Sequence, residues 1–318
     1  MYGPFTSVIM AAGGILLVVK GADYLVDGAG SVARRFGVKP IVIGLTIVAF
    51  GTSMPELVVN LVASFQDVPG IAIGNVIGSN ITNILLILGI SAIFHHLTVQ
   101  RSTVTKEIPF ALLSVVVLLI MAWDGMLDRA DGLVLLAFFT IFLYYTFGIS
   151  RVEGDAGTGD IPKLTASKSA WLIAVGITGL AIGGKLTVDG AETVALLLGI
   201  SDEIIGLTVV AIGTSLPELA TSVVAAKKGE VDIAIGNIVG SNVFNILWVL
   251  GLSAAIRAIP FDPSSNFDVL VAIGVTLILL AALFIGRKNV LDKWEGWMFI
   301  VLYASYLAFL VYRHVASA

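Results

Sequence analysis

Two segments of the chain, IGLTIVAFGTSMPEL (43–57) and IGLTVVAIGTSLPEL (205–219), each place one glutamate in an otherwise apolar run. These glutamates, Glu56 and Glu218, lie 162 residues apart. An ionised carboxylate in the middle of a membrane helix costs about 2.5–3.5 kcal/mol on insertion scales, so both glutamates need a partner. The two matching segments therefore predict a polar site inside a helical bundle, with one glutamate supplied by each segment.

The composition places the chain in a lipid bilayer. Hydrophobic residues make up 58% of the 318 positions, charged residues only 13%, and the mean hydropathy is +1.01. A membrane-spanning helix needs roughly 20 mostly apolar residues. Windows of this kind predict an all-α membrane protein with ten transmembrane helices, at 5–31, 40–66, 71–94, 107–123, 130–150, 169–197, 203–226, 232–256, 267–286 and 294–315.

The same composition excludes several classes of function. The chain has no cysteine, so thiolate metal sites and cysteine nucleophiles are ruled out. Its net charge is −4, and no basic tract suggests nucleic-acid binding. No phosphate-binding loop, cofactor fingerprint or nucleophile with a neighbouring base is present, so we do not expect an enzyme or a bound cofactor.

A second pair of segments repeats at the same offset. IAIGNVIGSNITNILLILG (71–89) returns as IAIGNIVGSNVFNILWVLG (233–251). The chain therefore divides into a first five-helix repeat at 1–150, with motifs at 43–89, a linker at 151–168, and a second repeat at 169–318, with motifs at 205–251. Because five is odd, the second repeat must cross the membrane in the opposite sense. This inverted topology predicts a site near the membrane midplane, where the repeats meet.

Lysine and arginine predict the orientation, because they accumulate in cytoplasmic loops. We expect a multi-pass protein of the cell membrane, with both termini outside and the linker 151–168 in the cytoplasm. The odd-numbered loops hold most of the positive charge: Arg34, Arg35, Lys39, Arg101, Lys106, Arg151, Lys163, Lys168, Lys227, Lys228, Arg287, Lys288 and Lys293.

The residues around each glutamate are rich in oxygen. Pro55 and Pro217 cannot donate a backbone hydrogen bond, so each helix should break at Gly-Thr-Ser-x-Pro. The break is expected to free the carbonyls of Ala49 and Ala211 and to present nearby hydroxyl groups. These hydroxyls belong to Thr52, Ser53, Thr214 and Ser215.

The second motif adds amides and further hydroxyls. Asn75, Ser79 and Asn83 are spaced by four and share one helical face, as do Asn237, Ser241 and Asn245. Asn80 and Asn242 lie on another face, and they are as well suited to simple contact between helices as to a place in the site. Neither the glutamate helices nor these facing segments place a lysine or arginine near the acids, so a cation from solution is the expected partner. Oxygen ligands alone suit Ca²⁺, which takes about 6–8 of them, or several Na⁺ ions.

Together these motifs resemble the α-repeats of the calcium/cation antiporter superfamily and, within it, the prokaryotic sodium/calcium exchangers. The resemblance covers essentially the whole chain. It implies an antiporter that works by alternating access and exchanges three Na⁺ entering for one Ca²⁺ leaving, which makes the exchange electrogenic. It also implies that the ions are held by Ala49, Thr52, Ser53, Glu56, Ser79, Asn83, Ala211, Thr214, Ser215, Glu218, Ser241 and Asn245.

One position refines the expected ion specificity. Some members of the superfamily, including potassium-dependent exchangers, carry an aspartate where this chain has Asn245, so the resemblance implies exchange that is independent of K⁺. A Ca²⁺/H⁺ exchanger and, less favoured, a cation channel remain alternatives. Besides these ions and the lipid bilayer, the sequence indicates no obligate protein partner. We expect the glycine-rich first and sixth helices to move relative to the other eight.

Overall fold

The computed structural model describes residues 3–66, 68–150, 164–197 and 211–317, and most of them are helical. Four two-residue strands connect some of the helices. The helices are α1 (Pro4–Phe36), α2 (Pro40–Thr52), α3 (Met54–Phe65), α4 (Pro69–Phe94), α5 (Thr103–Asp124), α6 (Arg129–Gly148), α7 (Ala166–Leu197), α8 (Ala211–Thr214), α9 (Leu216–Lys227), α10 (Val231–Ile256), α11 (Ser265–Phe284) and α12 (Lys293–Ser317). The strands are β1 (Leu97–Thr98), β2 (Met126–Leu127), β3 (Ile259–Pro260) and β4 (Val290–Leu291).

The all-helical membrane architecture is confirmed. Within the described ranges, eight helices are long and apolar enough to span a bilayer, and the bent pair α2–α3 makes a ninth. The tenth predicted span, 203–226, is described only from residue 211 onward, as α8 and α9, so the count of ten remains a prediction. Most of the predicted linker, residues 151–163, lies outside the described residues, and the division into two repeats stays a prediction.

Helices α4 and α10 form the centre of the bundle. In their most apolar 18-residue windows, 78% of α4 and 94% of α10 is buried, against 22–39% for the other six single-helix spans. These two helices carry the asparagine and serine motifs. All the polar groups of the second motif except the partly buried Asn75 are therefore placed where neither lipid nor bulk water surrounds them.

The predicted helix break is confirmed. Helix α2 ends and α3 begins around Ser53, where the two helix axes differ by 45°. Ser53 has φ −83° and ψ 6°, and Ser215, between α8 and α9, has nearly the same geometry with φ −87° and ψ 4°. The prolines occupy the first turns of α3 and α9, where a missing N–H costs nothing.

Glycines allow α1 and α7 to pack backbone to backbone. A Cβ added at Gly14 would lie 2.6 Å from the Gly183 carbonyl oxygen, and one at Gly21 would lie 2.8 Å from that of Gly176. As the numbering rises along α1, it falls along α7, so the two helices run antiparallel. The contact extends to both ends of the pair, through Gly28 with Ser169 and Gly190 with Ser7.

The strands pair in two short antiparallel ribbons. Strand β1 pairs with β4, with Leu97 opposite Leu291, and β2 pairs with β3, with Leu127 opposite Ile259. The 22-residue helix α5 separates β1 from β2. At 1.5 Å per residue it is about 33 Å long, enough to cross a bilayer, so the two ribbons lie at opposite ends of the bundle.

Candidate functional site

Glu56 and Glu218 lie together at the centre of the bundle. Both are fully buried in the first turns of α3 and α9, directly after the breaks. The Ser53 hydroxyl donates to Glu218 Oε1 over 3.1 Å, which links the break of the first repeat to the acid of the second. Ser53 itself lies three residues before Glu56. The structure therefore brings the predicted pair of acids into one site.

Each acid has a serine from the same repeat beside it. Ser79 Oγ on α4 lies 3.5 Å from Glu56 Oε1, and Ser241 Oγ on α10 lies 3.4 Å from Glu218 Oε1. Both serines are buried. The spacing of the second motif along its helices thus places corresponding hydroxyls against corresponding carboxylates.

The threonines of the breaks contact the opposite repeat. Thr52 Oγ1 lies 2.9 Å from Asn237 Oδ1, and Thr214 Oγ1 lies 3.4 Å from Asn75 Oδ1. Each asparagine also donates over 3.4 Å to the main-chain carbonyl of the glutamate in its own repeat. The threonine contact from the first repeat to the second therefore has an equivalent from the second repeat to the first. Such reciprocal contacts are typical of a twofold relation between two similar units.

Several buried oxygens in this site have no hydrogen-bond partner among the described residues. Leaving a buried acceptor unpaired costs about 1–3 kcal/mol, and more for a charged group. In the described ranges, neither glutamate forms an ion pair with a lysine or arginine. The unpartnered oxygens are Glu56 Oε2, Glu218 Oε2, Asn83 Oδ1, Asn245 Oδ1 and Ser215 Oγ.

This set of oxygens fits a hard cation. The described part of the chain contains no group of three or more histidine, cysteine or acidic side chains suited to a metal. The site instead combines two carboxylates with neutral amide and hydroxyl oxygens, the ligand types that Ca²⁺ and Na⁺ accept. It can therefore balance one divalent charge without a further acid.

One expected ligand differs from its predicted state. The Ala49 carbonyl is not freed by Pro55, because it accepts the Ser53 N–H over 3.0 Å. In a helix, the residue four positions before a proline loses its donor, and for Pro55 that residue is Gly51. A carbonyl has a second lone pair, so ligation by Ala49 stays a proposal. In the second repeat, the Ser215 N–H donates to the Ile212 carbonyl over 3.1 Å, and the role of Ala211 is likewise a proposal.

Two buried polar residues were missed by the sequence prediction. Asn60 Nδ2 donates to the Glu56 carbonyl over 3.1 Å, and the Ser222 hydroxyl accepts from Asn237 Nδ2 over 2.9 Å. Asn60 and Ser222 are equivalent in the repeat, and each lies four residues after its glutamate. That spacing on an apolar helix was the signal that could have found them.

A buried oxygen site between two bent helices, inside a bundle of apolar spans, defines a membrane protein that handles cations. A model of the family described as sodium/calcium exchanger protein matches residues 6–148 and 168–312. The chain belongs to this family.

Relatives of full length support the assignment. The chain is 39% identical over 279 residues to "Inner membrane protein YrbG" of Escherichia coli (strain K12), covering 84% of this chain and 86% of that protein. It is 38% identical to "Putative antiporter CaxA" of Alkalimonas amylolytica, with 92% and 95% covered. It is 34% identical to "Sodium/calcium exchanger MaX1" of Methanosarcina acetivorans, with 94% and 97% covered.

A solved structure agrees in fold. The sodium-calcium exchanger NCX_Mj, from a crystal soaked with 2.5 mM Na⁺ and 0.1 mM Ca²⁺, superposes with a TM-score of 0.83 at 37% identity. The match covers 95% of this chain and 98% of that one. The protein is therefore a multi-pass membrane protein of a cation-exchanger family whose relatives are transporters.

Proposed function

We propose that this chain is a secondary active antiporter that exchanges Na⁺ for Ca²⁺ by alternating access. The observation that carries the proposal is the pair of fully buried carboxylates, one from each half of the chain, with unpartnered oxygens beside both. Two carboxylates neutralise one Ca²⁺. Membership of the sodium/calcium exchanger family supports the choice of these two ions as substrates. No resident cofactor and no obligate protein partner is part of the proposal.

The ions are held by oxygens from both repeats. The proposed ligands are the two acids, the hydroxyl groups of the breaks and of the second motif, two amides and two carbonyls. By residue they are Ala49, Thr52, Ser53, Glu56, Ser79 and Asn83 in the first repeat and Ala211, Thr214, Ser215, Glu218, Ser241 and Asn245 in the second.

The charge of this site predicts the electrical behaviour. With neutral amides at Asn83 and Asn245, the glutamates supply the only fixed charges of the proposed ligand set. The site is then neutral with one Ca²⁺ and positive with three Na⁺, the count that the family resemblance implies. Exchange at this ratio moves net charge across the membrane. The low fixed charge favours a mechanism independent of K⁺.

The two halves are proposed to be inverted five-helix repeats, with ten spans in total. Helices α1 and α7 occupy equivalent places in the repeat, and their antiparallel packing supports inversion. The strands give independent support, because β1 and β3 are separated by the repeat offset of 162 residues. Since β3 pairs with β2, and α5 separates β1 from β2, these equivalent strands lie at opposite ends of the bundle.

The proposed orientation places both termini outside the cell membrane and the linker 151–168 in the cytoplasm. The ribbon β1–β4 joins loops that contain several lysines and arginines, as expected for the cytoplasmic end. The loops of the ribbon β2–β3 hold less positive charge: the β3 loop contains Arg257, and Arg129 follows the β2 loop as the first residue of α6. This pairing of loops agrees with the predicted sides.

Transport by the purified chain in proteoliposomes tests the function. Vesicles loaded with Na⁺ and diluted into Na⁺-free, K⁺-free medium containing ⁴⁵Ca²⁺ should accumulate the isotope. Vesicles loaded with choline should not. Because net positive charge leaves with Na⁺, an inside-positive potential should accelerate the uptake.

The alternatives give different results in the same vesicles. A Ca²⁺/H⁺ exchanger would take up ⁴⁵Ca²⁺ in response to a pH gradient and ignore Na⁺. A channel would pass Ca²⁺ down its own gradient without any counter-ion. Either outcome would overturn the proposal.

A further inference from the structure

Two asparagines outside the proposed ligand set join the central helices α4 and α10. Asn80 Nδ2 donates to the main-chain carbonyl of Asn242 over 3.1 Å, and Asn242 Nδ2 donates to the main-chain carbonyl of Asn80 over 3.3 Å. Both residues are nearly fully buried, with exposures of 1% and 4%. The pair forms a reciprocal bridge between equivalent positions of the two repeats.

The helix type changes within one turn after each of these asparagines. A π-helical segment begins at Asn83 in α4 and another at Phe244 in α10, just after the two bridging residues. π-Helical turns are rare and are frequently found at functional sites. Here the change of helix type coincides with the point where α4 and α10 exchange side-chain to main-chain hydrogen bonds.

The bridge fixes the orientation of each amide. A main-chain carbonyl only accepts hydrogen bonds, so the Nδ2 groups of Asn80 and Asn242 must face the opposite helix. Their Oδ1 atoms are then available as acceptors. Asn242 Oδ1 accepts from Asn83 Nδ2 over 2.9 Å, and Asn80 Oδ1 accepts from Asn245 Nδ2 over 3.2 Å.

The orientation of the Asn242 and Asn80 amides determines the orientation of the Asn83 and Asn245 amides. Because Asn83 and Asn245 use Nδ2 to donate, each must turn Oδ1 the other way. Both Oδ1 atoms are buried, and neither has a hydrogen-bond partner within the described ranges. An amide in the opposite orientation would present its NH₂ group, which repels a cation.

We infer that Asn80 and Asn242 are positioning residues that hold the amides of Asn245 and Asn83 with their carbonyl oxygens toward the transported cation. The inference rests on the proposed function, in which Asn83 and Asn245 are ligands. It differs from simple contact between helices because it assigns a direction to each amide. It also assigns each positioning residue to one ligand, Asn242 to Asn83 and Asn80 to Asn245.

An aspartate at the ligand position provides the test. Its two oxygens are equivalent, so an aspartate at position 83 does not need Asn242 to orient it. Asn242→Leu in the otherwise unchanged chain should weaken Ca²⁺ binding about 10–100-fold, the usual cost of losing a residue that orients a metal ligand. In the N83D background, Asn242→Leu should cause no loss, because it also removes the repulsion between Asn242 Oδ1 and the new carboxylate.

Binding is measured by isothermal titration calorimetry of Ca²⁺ into the full chain in detergent, with the unfolding temperature as a check of folding. The matched control is Asn242→Leu in the N245D background, where Asn83 still needs its partner and the loss of affinity should persist. The equivalent pair, Asn80→Leu with and without N245D, repeats the test if N242L does not fold.

Three results would overturn the inference. An equal loss of affinity in the N83D and unchanged backgrounds would mean that Asn242 only packs the helices. If N245D, like N83D, prevents the loss of Ca²⁺ affinity caused by Asn242→Leu, then Asn242 does not act specifically on Asn83. If the unchanged chain binds no Ca²⁺, the proposed function fails, and the orienting role fails with it.

Discussion

At the scale of single residues, the site depends on contacts that cross between the repeats. The acids were predictable, because a carboxylate in an apolar helix is costly without a partner. Their hydroxyl neighbours followed from the repeated motif. The direction of the asparagine amides was not predictable, since it depends on which main-chain carbonyl of the other repeat faces each side chain. Asn60 and Ser222 were missed because their partners are main-chain and amide groups of the same site.

Ser53 provides a test of one such crossing contact. Its hydroxyl donates to Glu218 Oε1 over 3.1 Å, and it is a proposed ligand. Ser53→Ala should therefore lower the apparent affinity for Ca²⁺ in Na⁺-driven uptake by about 10-fold or more. Ser114→Ala is the matched control, because Ser114 is equally buried but bonds to the Ala111 carbonyl of its own helix. Equal effects of the two changes would show that Ser53 acts only through packing.

At the scale of elements, the helix breaks and spans were largely predictable, because proline, glycine and apolar length act locally. The predicted windows lie within a few residues of the described helices for nine spans. The prediction that Pro55 frees the Ala49 carbonyl was wrong, because that carbonyl accepts the Ser53 N–H. The close approach of α1 to α7 was suggested by glycines, but their pairing required the structure.

The glycine contact between α1 and α7 is testable with neighbouring residues. Gly14→Ala would place a Cβ 2.6 Å from the Gly183 carbonyl oxygen and the Thr187 nitrogen, so the two helices must separate. Overpacking of this kind costs about 1–3 kcal/mol, and the unfolding temperature in detergent should fall. Gly13→Ala is the control, because a Cβ there meets no described atom within 4 Å. If G14A unfolds at the same temperature as G13A, or at a higher one, the close packing of α1 against α7 is contradicted.

The two repeats differ in the ion pairs formed by the aspartates of α1 and α7. Lys228, just after α9, forms ion pairs with Asp23 and Asp27 on α1 over 2.6 Å each. In the second repeat, Asp189 instead pairs with Lys185 of its own helix. Burial lowers the pKa of Lys228, but its hydrogen bonds to Asp23 and Asp27 outweigh this and leave the pKa above its ordinary value. While both aspartates carry their charge, the stabilisation is complete below the unfolded lysine pKa of about 10.4, and it is lost as the pH rises through the raised pKa of Lys228.

At the scale of the whole molecule, the two halves form one site that neither completes alone. The contact of Thr52 with Asn237 across the centre has an equivalent in the contact of Thr214 with Asn75. Equivalent strands lie at opposite ends of the bundle. We propose that movement of α1 and α7 relative to the other helices exposes the same oxygens to each side of the membrane in turn. The repeat was visible in the sequence, but the hydrogen-bond contacts that join one half to the other were not.

The central claim is that Glu56 and Glu218 hold one calcium ion between them. Calorimetric titration of Ca²⁺ into the purified chain tests it most directly. The account predicts one Ca²⁺ per chain, displaced by Na⁺, with binding abolished by Glu56→Gln and equally by Glu218→Gln. Glu107→Gln, which changes another buried glutamate that bonds to Tyr145 instead, should leave binding intact. Two Ca²⁺ per chain, or binding that survives either substitution in the pair, would contradict the account.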